Sequence, residues 1–190
     1  MKSNIYSNTF EFNKDYQLYF YEIFLYIIGL ILIISSSYIS IRIPISLVPI
    51  TAQTLIVLTL GATYGWKRAT FVLTSYLTLG LIGFEVFAGS ASGVTSLVGP
   101  TGGYLIGFLI SSAIMGLISE YFEFDKKLAS AFILFMVGHT IIFAFGILWL
   151  SNFIGIEQAI LTGFLPFIPG EFIKSIMAAM ITRTLWKTKI

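Results

Sequence analysis

Six long apolar segments, separated by short connections, limit this chain to a membrane fold more than any other feature of its sequence. They cover residues 22–39, 51–64, 69–87, 101–121, 128–150 and 169–186. A helix needs about 20 mostly apolar residues to cross the hydrocarbon core of a bilayer. Charged residues form only 11% of the chain, whereas soluble domains carry roughly 25%. The sequence therefore predicts an all-α membrane protein with six transmembrane helices.

The pattern predicts one membrane domain and no soluble domain. We expect a cytoplasmic or interfacial lead-in over residues 1–21, a single six-helix membrane domain over 22–186, and a cytoplasmic tail over 187–190. The lead-in mixes polar, acidic and aromatic residues. It lacks the apolar core and small-residue cleavage site of a signal peptide.

The second apolar segment is short for a span and follows a proline-rich approach. Pro44 and Pro49 precede it, and neither residue can continue a helix. This pattern is typical of a broken or re-entrant segment. Such a backbone is tolerated at membrane depth only where protein or a cavity surrounds it.

Basic residues are distributed unevenly between the two sides of the predicted bundle. With the N-terminus inside, the basic residues on the inner side are Lys2, Lys14, Lys67, Arg68, Lys126, Lys127, Arg183, Lys187 and Lys189. Arg42 is alone in an outer connection, and all five prolines lie in the three outer connections. Because cytoplasmic loops carry an excess of lysine and arginine, we expect both termini in the cytoplasm and ligand binding at the outer side.

The sequence contains few of the residues and motifs that catalysis or metal binding requires. Cysteine is absent and His139 is the single histidine, which excludes a thiol nucleophile and a multi-histidine metal site within one chain. No Walker A, HExxH or paired-aspartate motif occurs. We expect no catalytic residue, no cofactor and no nucleic-acid partner. For His139, an interhelical hydrogen bond is favoured over a proton relay.

Two ionisable residues lie within the last apolar segment, in the stretch LPFIPGEFIK. Glu171 and Lys174 are three residues apart, so they share a helix face. A charge near the bilayer centre costs about 2.5–3.5 kcal/mol even on mild insertion scales, and such residues are functional candidates by default. The pair could bind a ligand. Alternatively, the two residues could pair with each other, or Lys174 could extend to the surface.

A glycine-rich turn opens the fourth segment, with the sequence Gly99-Pro-Thr101-Gly102-Gly103. Thr101 can cap the helix, and free N–H groups at a helix start favour an anion. The alternative is a turn that only re-enters the membrane. Further along this segment, Gly107, Ser111, Ser112 and Gly116 suit close helix packing.

Further candidates lie near the predicted outer end. Thr51 and Gln53 open the short second segment, and Gln53 either contacts a ligand or stabilises the bend by a hydrogen bond. Phe87, Tyr104 and Trp149 could line an apolar pocket, or they could face lipid or the core.

Several blocks together resemble the BioY family, the biotin-specific S components of energy-coupling-factor (ECF) transporters. These blocks are IPISLVPITAQTLIVLTLGATYGWKRA, YLTLGLIGFEVFAG, LVGPTGGYLIGF, GILWL and LPFIPGEFIK. The resemblance implies a six-helix S-component bundle with a biotin pocket near the outer face. It also implies docking on a transmembrane T subunit driven by two cytoplasmic ATPases, a lid between helices one and two, and toppling of the S component during delivery.

The sequence departs from the family pattern at three places. The position of Glu171 is commonly aspartate in the family. The position of Gly89 carries a polar side chain in some members, so the backbone or Ser90 would have to contact the ligand here. The A-x-x-x-A docking motif on helix one has only imperfect counterparts, at Gly29-x-x-x-Ile33 and Ser36-x-x-x-Ser40.

Biotin suits the predicted outer site, and the sequence leaves its orientation there open. Its ureido group offers two N–H donors, its ring and valerate chain are apolar, and its carboxylate is an anion. Glu171 and Lys174 could address the ureido group, or Lys174 could bind the carboxylate. The alternative functions are an S component for another vitamin, a stand-alone small-solute facilitator or channel, and, least favoured, an embedded enzyme.

Overall fold

The computed structural model describes residues 15–122 and 127–187. Its helices are α1 (Asp15–Tyr38), α2 (Gln53–Tyr64), α3 (Trp66–Leu81), α4 (Val94–Val98), α5 (Gly102–Phe122), α6 (Leu128–Ile154), α7 (Ile156–Gly163) and α8 (Ile168–Lys187). A 3-10 turn, Leu165–Phe167, joins α7 to α8, and a two-stranded antiparallel hairpin, β1 (Ser40–Ile41) with β2 (Ile50–Thr51), joins α1 to α2.

The predicted all-α class is confirmed, and each of the six apolar segments corresponds to one of the six longest helices, α1, α2, α3, α5, α6 and α8. Within the described residues, four stretches are long and apolar enough to cross a membrane: Leu18–Tyr38, Gly102–Phe122, Leu128–Ile154 and Ile156–Leu185. The helix α2 has 12 residues and α3 has 16. At 1.5 Å per residue they are about 18 and 24 Å long, short of a hydrocarbon core of about 30 Å.

Several predicted boundaries differ from the structure. The first helix begins at Asp15 instead of Glu22, and α3 ends at Leu81 instead of Phe87, because the chain turns at Gly83, where φ is +105°. The helices α4 and α7 were not predicted from the sequence. The predicted lead-in up to residue 14, residues 123–126 and the tail from 188 lie outside the described residues.

Small residues let α5 pack at the centre of the bundle, against α2, α3 and α6. A Cβ on Gly107 would lie 3.0 Å from the Cα of Ile142, and one on Gly116 would lie 2.3 Å from the backbone nitrogen of Trp66. The hydroxyl of Ser111 donates to the carbonyl of Gly138 at 2.8 Å. The packing role predicted for these small residues is therefore confirmed.

Three connections meet at one end of the bundle. The hairpin follows α1, residues 82–101 follow α3, and residues 155–167 follow α6. In the second connection Phe87 and Ala91 form a bridge around a tight turn, where Gly89 and Ser90 have φ of +70° and +60°. Because α1, α3 and α6 all finish here, this end collects most of the irregular backbone of the fold.

Candidate functional site

A cavity of about 620 Å³ lies beneath the three connections. Its volume falls within the range of about 300–1,000 Å³ found for small-molecule sites. Aromatic and aliphatic side chains dominate its lining, and the hairpin loop, the 82–101 connection and the 3-10 turn each contribute residues, including Leu47, Ala91 and Phe167. This is the arrangement of a pocket for a compact, mostly apolar ligand.

Glu171 is the one carboxylate among the described residues that line this cavity. Pro166 and Pro169 precede it at positions near a helix start, where the missing proline N–H has no helical partner in any case. Glu171 therefore lies in the first turn of α8, where the helix dipole favours a negative charge. The residue is only 4% exposed, and a carboxylate so deeply buried requires partners.

Those partners come from three helices. The hydroxyl of Thr54 on α2 donates to Oε2 of Glu171 at 2.7 Å. The Nε2 atom of His139 on α6 lies 2.6 Å from the same oxygen, as a close electrostatic contact without the alignment of a hydrogen bond. The Nζ atom of Lys174 lies 2.7 Å from Oε1. A carboxylate offers about four lone-pair positions, so Glu171 keeps acceptor capacity for a ligand N–H.

Lys174 lies behind Glu171 and is not among the residues that line the cavity. Its ammonium donates to the carbonyl of Thr51 at 2.6 Å, to Oγ1 of Thr54 at 3.0 Å and to Oε1 of Glu171 at 2.7 Å. Three contacts use all three protons of an ammonium group. The sequence left open whether Lys174 binds the ligand or pairs with Glu171, and the structure shows the pairing.

His139 makes contacts between helices, as the sequence favoured. Its Nδ1 lies 3.0 Å from the hydroxyl of Ser175 on α8, which also contacts the carbonyl of Glu171 at 2.8 Å. The ring thus joins α6 to the first turns of α8, and it keeps the carboxylate of Glu171 against the bundle.

Gln53 also lines the cavity and is 2% exposed. Its Nε2 donates to the hydroxyl of Tyr76 at 2.6 Å, and the ring of Tyr76 meets that of Phe87 edge to face, with centroids 5.4 Å apart. Thr51 also lines the cavity, and its Oγ1 accepts from the backbone N–H of Gln53 at 3.3 Å. These contacts give the start of α2 and Phe87 fixed positions on the wall.

Tyr104 presents its ring to the cavity and anchors its hydroxyl outside it. The hydroxyl donates to the carbonyl of Gly163 at 2.9 Å, and the ring packs edge to face on Phe143 at 6.0 Å between centroids. A Cβ on Gly146 would lie 2.3 Å from this ring. The absence of a side chain at Gly146 therefore lets the ring of Tyr104 pack directly against α6.

The Gly99–Gly103 turn serves close packing in the structure. The carbonyl of Gly99 accepts from the indole N–H of Trp149 at 2.9 Å. A Cβ on Gly102 would lie 1.8 Å from the carbonyl oxygen of Leu97, and one on Gly103 would lie 2.2 Å from the Cβ of Trp149. Gly99, Gly102, Gly103 and Trp149 are thus near the cavity without lining it.

Thr101 does line the cavity, and its hydroxyl donates to the carbonyl of Ser96 at 3.2 Å. Gly89 and Ser90 do not line it. Instead, a Cβ on Gly89 would lie 2.7 Å from a guanidinium nitrogen of Arg42, so the glycine leaves room for this arginine.

The structure therefore brings six of the predicted site residues to the cavity: Thr51, Gln53, Phe87, Thr101, Tyr104 and Glu171. Other residues at the cavity were not predicted from the sequence: Arg42, Thr54 as a partner of Glu171, and the aromatic wall residues Phe143 and Phe167. A signal for Arg42 was present, since it is the one basic residue in a predicted outer connection. No group of three His, Cys, Asp or Glu side chains that could hold a metal occurs within the described ranges.

Known proteins share both the sequence and the fold. The model of the BioY family matches residues 9–189. A protein of Rickettsia prowazekii named "Probable biotin transporter BioY" is 32% identical over 170 residues, covering 90% of this chain and 86% of that protein. "Biotin transporter BioY" of Thermotoga maritima is 38% identical over 152 residues, covering 79% and 88%.

The crystal structure of an S-component for biotin from an ECF-type ABC transporter superposes with a TM-score of 0.84 at 27% identity. The superposition covers 92% of this chain and 94% of that one. The resemblance drawn from the sequence blocks is thereby confirmed.

Proposed function

The chain belongs to the BioY family, and we propose that it captures biotin in the 620 Å³ cavity as the substrate-binding S component of an ECF transporter. The structural observation that supports this proposal most directly is the cavity itself. It lies at the loop-rich end of the bundle, its walls are mainly apolar and aromatic, and a single buried carboxylate lines it. The names of the relatives and of the matching crystal structure support biotin as the ligand.

The chemistry of biotin matches this lining. The ureido N–H groups are donors, and the carboxylate of Glu171 is an acceptor held in place by Thr54, His139 and Lys174. The thiophane ring and valerate chain are apolar, and the rings of Phe87, Tyr104, Phe143 and Phe167 surround the space that they would fill. Pre-positioned partners reduce the entropy lost on binding.

The membrane arrangement is part of the proposal. Six crossings would use α1, α2, α3, α5, α6 and α8, with the cavity at the outer face and both termini in the cytoplasm. The shorter α2 would cross together with the irregular backbone at its start, where Thr51 lines the cavity, because such backbone is tolerated at membrane depth beside protein or a cavity. The cell membrane is the expected location, and residues 42–49 would act as the lid.

Partner subunits supply the energy in this scheme. The protein would dock on a transmembrane T subunit that is driven by two cytoplasmic ATPases, and it would hydrolyse no ATP itself. The match to an S-component from an ECF-type ABC transporter supports this arrangement.

The direct test of the ligand is calorimetry on detergent-purified protein without ATP, with biotin, riboflavin and thiamine as ligands. We expect a saturable heat with biotin alone. Heat with another vitamin and none with biotin would show that the ligand is not biotin, and it would leave the assignment as an S component unchanged.

The test of topology exploits the absence of cysteine in the chain. Single variants Ser92→Cys, in the connection after α3, and Lys127→Cys, before α6, would be treated in intact cells with a membrane-impermeant maleimide. We expect labelling at position 92 only, and labelling at position 127 only would invert the proposed orientation.

The test of partners is biotin uptake by a biotin-auxotrophic host with and without co-expressed T and ATPase subunits. We expect uptake to rise with the partners and to fall again when the ATPases carry inactive Walker A lysines. Uptake that is the same in all three hosts would favour the stand-alone facilitator.

A further inference from the structure

We propose that Arg42 binds the carboxylate of the ligand at the mouth of the cavity and so orients the ligand with its acid end away from Glu171. The inference rests on the proposed function, since it takes biotin as the ligand, and it assigns a specificity-determining role to a residue outside the Glu171 cluster.

Arg42 is the one cationic side chain among the described residues that line the cavity. It directly follows Ile41, the last residue of β1, and Ser40 pairs with Thr51, the residue whose carbonyl holds Lys174. At roughly 3.3 Å per strand residue, Arg42 lies about 7 Å further along the hairpin than that anchored pair. The cavity therefore has a cation toward its loop side and a carboxylate at its helix side.

Several other polar side chains in and beside the cavity already donate to protein acceptors. Lys174 uses its three protons on Thr51, Thr54 and Glu171. The hydroxyl groups of the lining residues Ser46, Ser96, Thr101 and Thr54 donate to Val48, Ser92, Ser96 and Glu171, in that order. Arg42, by contrast, has no ion pair or side-chain hydrogen bond with any residue in 15–122 or 127–187.

The neighbouring turn is shaped to admit the guanidinium. Gly89 adopts a φ of +70°, and a Cβ at this position would lie 2.7 Å from one guanidinium nitrogen of Arg42. Phe87 and Ala91, on either side of this turn, line the same cavity. The turn thus places the planar group beside the mouth, where its fork of N–H donors can bind both oxygens of a carboxylate.

Electrostatics then selects one orientation. The carboxylate of Glu171 repels a second carboxylate and accepts hydrogen bonds from N–H donors. The guanidinium of Arg42 attracts a carboxylate, and it cannot accept a hydrogen bond from an N–H group. Biotin carries N–H donors at one end and an anion at the other. The ureido end therefore faces Glu171, and the valerate carboxylate faces Arg42.

The test compares biotin with its uncharged methyl ester by calorimetry, on wild-type protein and on Arg42→Gln. Hydrogen bonds to charged groups contribute enough to change affinity roughly tenfold to a hundredfold. We expect the wild type to prefer biotin by about that factor, and Arg42→Gln to lose the preference while it binds the ester within about twofold of wild type. Arg183→Gln, an exposed arginine on α8 that does not line this cavity, should keep the wild-type preference.

A second variant moves Arg42 without removing it. Gly89→Ala places a methyl group against the guanidinium and should reduce affinity for biotin more than affinity for the ester. An unchanged preference in Arg42→Gln, or an equal loss of both ligands, would overturn the role of Arg42 and leave biotin capture standing. Absence of biotin binding by the wild type would instead overturn the proposed function.

Discussion

Lys174 lies one helical turn beyond Glu171 on α8, with its Nζ 2.7 Å from Oε1, and the same ammonium reaches the carbonyl of Thr51 at 2.6 Å. Thr51 belongs to β2 and is separated from α2 by one residue. One cation thus joins the hairpin to the helix that carries the cavity's carboxylate. Glu171 is thereby held in position before any ligand arrives.

The first prediction concerns Lys174→Met. This change leaves a buried carboxylate with one cation fewer, and breaking a buried pair in this way costs roughly 3 kcal/mol or more. We expect a lower melting temperature in detergent and at least a tenfold loss of biotin affinity, measured by calorimetry. The control is Lys127→Met, since Lys127 is exposed at the start of α6. Equal behaviour of the two variants would show that Lys174 contributes nothing specific.

The second prediction concerns the coupling between Glu171 and Lys174. Glu171→Gln leaves Lys174 with two uncharged acceptors, and Lys174→Met leaves Glu171 short of a cation, so each single change creates an unbalanced charge. The double variant removes both charges. We expect the loss of unfolding free energy in the double variant to be smaller than the sum of the two single losses by about 0.5–3 kcal/mol, the range for residues in one network. Strict additivity of the three unfolding free energies would contradict the pairing.

The sequence alone located the helices well because the apolar period and the prolines act locally. Glu171 and Lys174 could also be predicted to share a face, since i, i+3 spacing fixes that relation. What local pattern could not decide is which member of the pair meets the cavity. That depends on Thr51 and Thr54, more than a hundred residues earlier, which occupy the protons of Lys174.

The glycine-rich turn shows the opposite difficulty. Gly99–Gly103 has the composition of a ligand-binding turn, and composition does not distinguish backbone approach to a ligand from backbone approach to another helix. The structure places Trp149 and Leu97 against these glycines. Arg42 was likewise assigned only to a loop, because its proximity to Gly89 depends on how two separate connections fold together.

The third prediction concerns the bond between Gln53 and Tyr76. Tyr76 is fully buried, so Tyr76→Phe leaves the amide of Gln53 without its acceptor inside the wall of the cavity. An unsatisfied buried donor costs about 1–3 kcal/mol, and we expect a lower melting temperature and a several-fold weaker affinity for biotin.

Tyr38→Phe is the matched control for this prediction. It removes a hydroxyl that donates to the carbonyl of Glu85 from an exposed side chain. We expect a change within about 0.5 kcal/mol, as is usual for surface substitutions. If Tyr76→Phe behaves like Tyr38→Phe in both measurements, the buried bond does not position Gln53.

The last prediction separates packing from ligand contact at the glycine-rich turn. Gly103→Ala would put a Cβ 2.2 Å from the Cβ of Trp149 and 2.5 Å from the carbonyl oxygen of Phe145, so α5 and α6 must move apart. Overpacking of this kind costs about 1–3 kcal/mol.

We therefore expect Gly103→Ala to lower the melting temperature. The protein that remains folded should bind biotin with an affinity within about threefold of wild type, less than the factor of ten that corresponds to 1.4 kcal/mol, because Gly103 does not line the cavity. Gly170→Ala on α8 is the control. A Cβ there meets nothing within 4 Å, and replacing a helical glycine by alanine stabilises by up to about 1 kcal/mol. A Gly103→Ala protein that keeps its melting temperature and loses biotin binding would instead show that this turn contacts the ligand.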